Sequence, residues 1–360
     1  MKAAVLREVN ARLEIEDLVI DNPGPNEVLV RTVASGLCHT EAHWFSGAVP
    51  LQLPLVGGHE AAGIVEKVGS NVTRVRPGDA VVTHVSLFCG HCEFCLSGRM
   101  ALCELRASDR TDSPEPRLRR RDGQPVRQLF LGAFAEQMLI PENSCVAIDP
   151  EMPLDRAALI GCAVTTGAGA VFHSCDLRPG ETVAVIGCGG IGLAAVNAAR
   201  IAGAGRIVAV DPMPEKRALA MKMGATDVVD AKGENTLEAI RELTAGGPHY
   251  TIEAAGRPQA AQLAVDALGR GGTAVIVGVL PQDARVSMGF ADLLSGKRVH
   301  GCVMGDNRFP VDVPRLIEFY KRGMLDLDSM LAEHITLEQI NEGYDKLKGG
   351  ASARSVIVFE

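Results

Sequence analysis

The sequence predicts an α/β protein of two domains, a β-rich one at the front of the chain and a doubly wound parallel sheet behind it. Three observations carry this. The 360 residues suit about two domains. The front of the chain holds β-rich stretches such as "EVLVRTVASG" (27–36) and "AAGIVEKVG" (61–69), broken by turns such as "RPGD" (76–79). From residue 182 onward short apolar strands alternate with helical patterns, the order that builds a parallel sheet.

Composition agrees. With 47% apolar and 22% charged residues the chain can bury a large core, and 39 glycines beside 4% aromatics suit an α/β protein with many tight turns. A net charge of -8 argues against a general nucleic-acid or anionic-membrane binder. The opening "MKAAVLREVN" lacks the apolar core of a signal peptide. No run approaches the ~18 apolar residues of a membrane span. The expected location is the cytoplasm, where the ten cysteines would be buried hydrophobes, reactive thiols or metal ligands rather than disulfides.

In "FCGHCEFCLSGRMALC" (88–103), Cys89, Cys92, Cys95 and Cys103 follow the pattern C-x2-C-x2-C-x7-C. Two-residue gaps let successive thiolates converge through tight turns, with Gly90 and Gly98 as flexible joints. Four sulfurs describe a closed tetrahedral site with no position left for substrate. Zinc suits it. An iron–sulfur cluster competes, although the C-x3-C-P ending of bacterial ferredoxin runs is absent. A closed site steadies a loop and performs no chemistry, so the reactive centre lies elsewhere.

Residues 182–211 read "TVAVIGCGGIGLAAVNAARIAGAGRIVAVD". An apolar strand runs into Gly187-x-Gly189-x-x-Gly192, an Ala-rich helix comes next, and a second strand ends at Asp211, a complete βαβ unit of the dinucleotide-binding (Rossmann) kind. Gly187 permits the tight turn, Gly189 lets the backbone approach a pyrophosphate, and Gly192 allows the helix to pack on the strand. Gly190, at the start of the helix, joins the expected coenzyme contacts. Asp211 stands where a carboxylate binds the adenosine ribose hydroxyls and repels a 2'-phosphate, which favours NAD over NADP. The segments "ATDVVDA" (225–231), "YTIEAAG" (250–256) and "GGTAVIVGVL" (271–280) continue the sheet.

Hydride transfer also needs a centre that polarises the substrate and takes a proton. Three segments offer further ligands: "GLCHTEAH" (36–43), "GGHEAAG" (57–63) and "IGCAVTTGAGA" (160–170). Singly each is ambiguous. A lone Cys162 reads as a small buried hydrophobe and a lone His59 as a satisfied core residue, and spacing does not bring Cys38, His59 and Cys162 together.

Taken in order, these segments resemble the zinc-dependent alcohol dehydrogenases of the medium-chain dehydrogenase/reductase superfamily. "LLSGKRVHG" (293–301) and the C-terminal "EQINEGYDKLKGGASARSVIVF" (338–359) extend the resemblance over essentially the whole chain. It implies a GroES-like catalytic domain over 1–163 and 304–360, carrying a structural-zinc lobe at 88–104, and an NAD-binding Rossmann domain over 164–303. It implies two zinc ions per chain, one structural and one catalytic, the second held by Cys38, His59 and Cys162 with a position open for substrate. Thr40 would take the alcohol proton and His43 would return it to solvent, histidine being the side chain that titrates near neutrality. Glu60 would be a charged neighbour that tunes the metal.

On the coenzyme side, the resemblance places His39 and Arg354 at the pyrophosphate and Lys216 at the adenosine ribose. Thr166 and Ile191 would press on the nicotinamide, and Val277, Val279 and Met304 would offer it backbone groups. Trp44, Val49, Val85, Phe130, Leu131, Val279 and Val303 would wall an apolar substrate pocket, suited to a primary aliphatic, allylic or aromatic alcohol and its aldehyde. A branch acting on the glutathione adduct of formaldehyde typically has an acid after "SGA" and a tyrosine as relay, where this chain has Val49 and His43. Two other readings stand beside the NAD-dependent dehydrogenase: an enzyme whose NAD stays bound and is recycled by an external acceptor, and a non-catalytic relative. The resemblance favours a homodimer, with "GGTAVIVGVL" and the residues just after it as contact elements. The segment 104–132, with "RLRRR" at 117–121, departs from the family pattern and is expected to be a mobile solvated loop, the sharper alternative being a basic rim for an anionic substrate or electron-transfer partner.

Overall fold

The computed structural model describes residues 1–104, 116–350 and 353–360. The chain divides into two units, the first made of Met1–Cys162, Arg308–Ile317 and Leu331–Glu360, the second of Ala163–Asn307 and Glu318–Met330. Residues 163, 304–307 and 318–330, expected in the catalytic domain, fall within the second unit.

The first unit is β-rich. A closed barrel joins Lys2–Leu6, Glu14–Ile20, Leu118–Arg120, Pro125–Gln128 and Leu55–Val56. A seven-stranded sheet runs Cys145–Ala147, Ala80–Thr83, Ala61–Val68, Glu27–Gly36, Arg354–Val358 and Leu331–Ile335, with Gln137–Pro141 also paired to Glu27–Gly36. Glu27–Gly36 is the spine of this sheet. Buried residues outnumber exposed ones along it, as befits a strand covered on both faces. Its antiparallel partner Ala61–Val68 comes so close that a Cβ on Gly63 would sit 2.1 Å from the Arg31 carbonyl oxygen. Val28, Val30, Val65, Val81, Met138 and Ile140 fill one core, while Leu6, Leu18, Leu55, Leu118, Phe134 and Tyr344 fill the other.

The basic run is not the expected mobile loop. Residues 105–115 of that segment lie outside the described ones, but Leu118–Arg120 and Pro125–Gln128 form an antiparallel hairpin within the barrel, and Leu118 is 1% exposed. Nor is the run a free basic rim. Arg117 pairs with Glu27 at 2.5 Å, Arg120 with Glu16 at 3.4 Å and Arg121 with Asp17 at 3.3 Å, and Arg119 lies 3.9 Å from Asp21. The exposed pair Arg121–Asp17 contributes roughly 0.2–1 kcal/mol. Burying one leucine contributes about 2 kcal/mol, so Leu118 fixes the hairpin and the charges decorate it. The sequence hides this strand because its outward positions are all arginine.

The second unit holds a six-stranded parallel sheet in the order Asp227–Asp230, Arg206–Asp211, Thr182–Ile186, Tyr250–Glu253, Thr273–Ile276 and Arg298–Gly301. Its first crossover is the glycine loop and the helix Gly190–Ile201. One helical run, Leu154–Ser174, is long and apolar enough by length and composition to cross a membrane, contrary to the expectation that no run approaches this. Its apolar window is 83% buried within the protein, the pattern of a core helix.

His84 comes directly after the strand Ala80–Thr83 and is fully buried, its ring stacked on Phe309 with centroids 3.5 Å apart. Burial drives its pKa from 6.5 down to about 3, far outweighing the opposing Asn143 backbone. The unfolded chain then binds a proton that the folded one refuses, so His84 subtracts nothing above pH 6.5 and costs stability as pH falls from there toward about 3. Replacing His84 by Leu is expected to flatten the fall of the urea-unfolding midpoint across that window. Parallel wild-type and variant pH profiles would contradict it.

Candidate functional site

Two local features bring distant residues to one point. The end of Glu27–Gly36 lies beside the start of Ala61–Val68, with Ser35 opposite Ala61 and the Gly36 N–H donating to the Glu60 carbonyl at 2.7 Å. Cys38, two residues past one strand, therefore meets His59, two residues before the other. The helical run carrying Cys162 approaches the strand Ala80–Thr83 at Gly161, where a Cβ would lie 2.4 Å from the Thr83 carbonyl oxygen. The ligand atoms of Cys38, His59 and Cys162 all fall within 4.8 Å of one another, and all three residues are buried. His59 Nε2 is 3.1 Å from Cys162 Sγ.

Two thiols and an imidazole form a soft-to-borderline donor set that fits zinc. Their electrostatics point the same way. The Cys38 thiol is drawn well below its usual range, first by its hydrogen bond with Cys162, then by the Arg354 and His59 charges, against the effect of burial. The same hydrogen bond and burial drive Cys162 well above it. Without a cation only one of the two sulfurs ionises readily, so the trio suits a divalent ion.

Around the trio stands a shell of buried charge. Glu41, fully buried on the short helix His39–His43, contacts His59 Nδ1 through Oε1 and so turns Nε2 toward the sulfurs. Burial raises the Glu41 carboxyl against the pull of His59. Burial would lower His59, but Glu41 and Cys38 hold it well above the usual imidazole range. Glu60 is fully buried and pushed up to about 7 by burial, with Arg354 opposing from 3.4 Å. Arg354 donates to the Leu37 carbonyl at 3.1 Å and reaches Cys38 Sγ at 3.5 Å. Arg354, expected at a pyrophosphate, is 4% exposed and engaged behind Cys38.

The second cluster is local. Cys89, Cys92, Cys95 and Cys103 bring their sulfurs within 4.8 Å of one another. Backbone N–H groups of Cys89 and Cys92 donate to Cys103 Sγ and Cys89 Sγ at 3.3 and 3.2 Å. Such N–H···S contacts favour thiolate. Cys92 is drawn down to about 6 by the backbones of Cys95 and Glu104, while burial pushes Cys95 up to about 12. All ten cysteines are free of disulfides. Four convergent sulfurs fit a closed zinc site.

In the second unit Gly187 has φ +95°, and a Cβ on Gly192 would sit 1.8 Å from the Gly187 carbonyl oxygen, so helix and loop touch there. Gly189 precedes the helix and Gly190 and Ile191 begin it. Asp211, 5% exposed at the end of its strand, accepts N–H donations from Cys188 at 2.8 Å and Met213 at 2.9 Å.

Residues 24–150 match the family model for the alcohol dehydrogenase GroES-like domain, and residues 190–322 match that for the zinc-binding dehydrogenase. The NDMA-dependent alcohol dehydrogenase of Amycolatopsis methanolica is 37% identical over 99% of this chain and 98% of its own. Among solved structures, an alcohol dehydrogenase zinc-binding domain protein from Burkholderia ambifaria is 37% identical, with a TM-score of 0.96 over 100% of this chain and 98% of that one. Benzyl alcohol dehydrogenase from Acinetobacter calcoaceticus is 32% identical, with a TM-score of 0.93 over 100% and 99%. The chain belongs to the zinc-dependent alcohol dehydrogenases of the medium-chain dehydrogenase/reductase superfamily.

Within this alcohol dehydrogenase, Thr40 Oγ1 lies 3.6 Å from Cys38 Sγ, and His43 is exposed at the far end of the same short helix, while His39 is exposed at its start. Trp44 stacks at a tilt on Phe130 with centroids 4.9 Å apart, and Phe130 stands 5.3 Å from the His59 ring. Val49 is half-buried just beyond the turn. Leu131 departs from its expected place: it is 3% exposed in the core with Val28 and Met138, and Val85 packs on that same core. In the second unit Thr166 Oγ1 donates to Met304 Sδ at 3.8 Å, the Val277 N–H donates to the Glu253 carbonyl at 3.0 Å, Val279 is exposed, and Lys216 and Val303 are half-buried.

Two residues escape the sequence reading. Glu41 carries one signal, an acid within a turn of Cys38 in "CHTE", but nothing in the sequence says that it is buried. Arg217 donates to the Asp211 carbonyl at 2.7 Å and pairs with Asp230 at 3.4 Å, so it braces the strand end that carries Asp211.

Metal analysis of single-site variants tests both clusters. Cys92→Ser is expected to lose one zinc per chain and to melt at a lower temperature. Cys38→Ser is expected to lose the other, remain folded and fall in activity by orders of magnitude. Full zinc content and unchanged melting for Cys92→Ser would remove the cage.

Proposed function

We propose that the protein interconverts a primary alcohol of apolar body, aliphatic, allylic or aromatic, with its aldehyde, using NAD and two zinc ions. The alcohol oxidoreductase activity is that of the family. The convergence of Cys38, His59 and Cys162 beside Thr40 carries the reading of the reactive centre.

Cys38, His59 and Cys162 would hold the catalytic ion and Cys89, Cys92, Cys95 and Cys103 the structural one. A zinc at the first site would supply Lewis acidity that lowers the pKa of an alcohol, and a bound nicotinamide would supply the hydride acceptor. The protein's own residues do the rest. Thr40 takes the hydroxyl proton of the substrate at Oγ1. His43, exposed three positions further along the same helix, exchanges that proton with water. Glu41 keeps His59 aimed at the sulfurs, and Arg354 with Glu60 balances the charge of Cys38. Trp44 and Phe130, stacked beside His59, offer an apolar wall to the body of the alcohol and keep water away from it.

Two features support NAD. The Asp211 carboxylate is already fixed by two backbone N–H groups, and its remaining lone pairs suit ribose hydroxyls. Its charge disfavours a 2'-phosphate. The edge strand Arg298–Gly301 is exposed along its length, and Phe290 and Leu294 are exposed on the helix just before it, which supports a homodimer built on this edge.

The likeness to an NDMA-dependent alcohol dehydrogenase favours one alternative, in which the coenzyme stays bound and an external acceptor regenerates it. One experiment separates the two. Purified protein with NAD and benzyl, allyl and aliphatic primary alcohols is expected to raise the near-UV absorbance of reduced nicotinamide, most with aromatic bodies. A flat trace with NAD, together with reduction of NDMA by protein that keeps its coenzyme through gel filtration, would replace the first reading with the second.

A further inference from the structure

Tyr344 sits in the helix Ile340–Lys348, 6% exposed. Its ring packs edge-on against Phe45 and Phe134, with centroids 6.1 Å away in each case. These contacts place it beside two of the three segments that build the metal trio, those of Cys38 and His59. Phe45 lies four residues after Glu41 along the same helical stretch, so the two share a side. The helix His39–His43 packs directly against Ile340–Lys348. Phe134 lies against Gly57, two residues before His59.

The Tyr344 hydroxyl has no hydrogen-bond partner among the described residues, and neither does the second carboxylate oxygen of Glu41. Both atoms are buried. Buried polar atoms in native proteins are nearly always satisfied, by enclosed water where protein does not reach them. The two are also complementary. A phenol hydroxyl can donate, while a carboxylate oxygen accepts.

We infer that a buried water bridges the Tyr344 hydroxyl and Glu41 Oε2, making Tyr344 a positioning residue for His59. The hydroxyl donates to the water, the water donates to Oε2, and Oε1 holds His59 Nδ1. A carboxylate fixed at both oxygens does not swing out of line, and Nε2 stays aimed at the two sulfurs. This rests on the reading of Cys38, His59 and Cys162 as zinc ligands.

The test uses the zinc-loaded enzyme and a chromogenic chelator. Tyr344→Phe keeps the ring contacts and removes only the hydroxyl. It is expected to release the catalytic-site zinc about 10-fold faster, the scale of a lost outer partner of a ligating histidine. Zinc release from the four-cysteine site serves as the internal control and should not change, nor should the melting temperature. Added to Glu41→Gln, the same substitution should have no further effect. Wild-type release rates in Tyr344→Phe, or a full further acceleration in the double variant, would overturn the inference. A Cys38→Ser protein with undiminished zinc would instead overturn the reading on which it rests.

Discussion

Everything at the candidate centre depends on holding two thiols and an imidazole together out of water. Cys162 favours the ionisation of Cys38 through their hydrogen bond, Cys38 in turn opposes that of Cys162, and burial penalises charge on both. Such a cluster is tolerable only if positive charge is delivered to it. The backbone arranges the meeting by two close approaches, the pairing of Gly36 with Glu60 across adjacent strands and the contact of Gly161 with Thr83. At Gly36 the approach is so tight that a Cβ would stand 2.6 Å from Glu60 Oε1. Glycine at these points is part of the centre.

The charges behind the trio form an alternating set. Glu41 faces His59, Arg354 faces Cys38, and Glu60 faces Arg354. Each group is buried and each would be costly alone, so the set stands or falls as a unit. An arginine deep in the fold supplies a permanent positive charge next to a sulfur, which suits a site that must favour thiolate before and after a metal arrives. By contrast the four-cysteine cluster draws on backbone N–H groups and is built within one short stretch of chain. One centre is therefore a product of the whole fold and the other of a single loop.

That difference explains what can be read from the sequence. The four-cysteine site and the glycine loop are legible because their geometry is local: spacing alone makes the sulfurs converge, and Gly187 and Gly192 occupy positions where a Cβ would collide. Cys38, His59 and Cys162 lie far apart in the chain, and only the resemblance to a family brings them together. Arg354 eludes a sequence reading because its partners, Leu37, Cys38 and Glu60, are reached through strand pairing that no local pattern encodes. Leu131 resembles a pocket wall because an apolar residue next to Phe130 reads the same whether it faces a ligand or a core. The run 117–121 reads as a loop because four arginines conceal one buried leucine, and their acidic partners come from strand segments far earlier in the chain.

One metal ion is expected between Cys38, His59 and Cys162 and another among the four cysteines. Crystals of the metal-loaded protein, measured on either side of the zinc absorption edge, test it most directly. Two anomalous peaks per chain that vanish below the edge are expected, one bonded to Cys38 Sγ, His59 Nε2 and Cys162 Sγ and the other to four sulfurs. A fully loaded protein with no peak at the first position would contradict it.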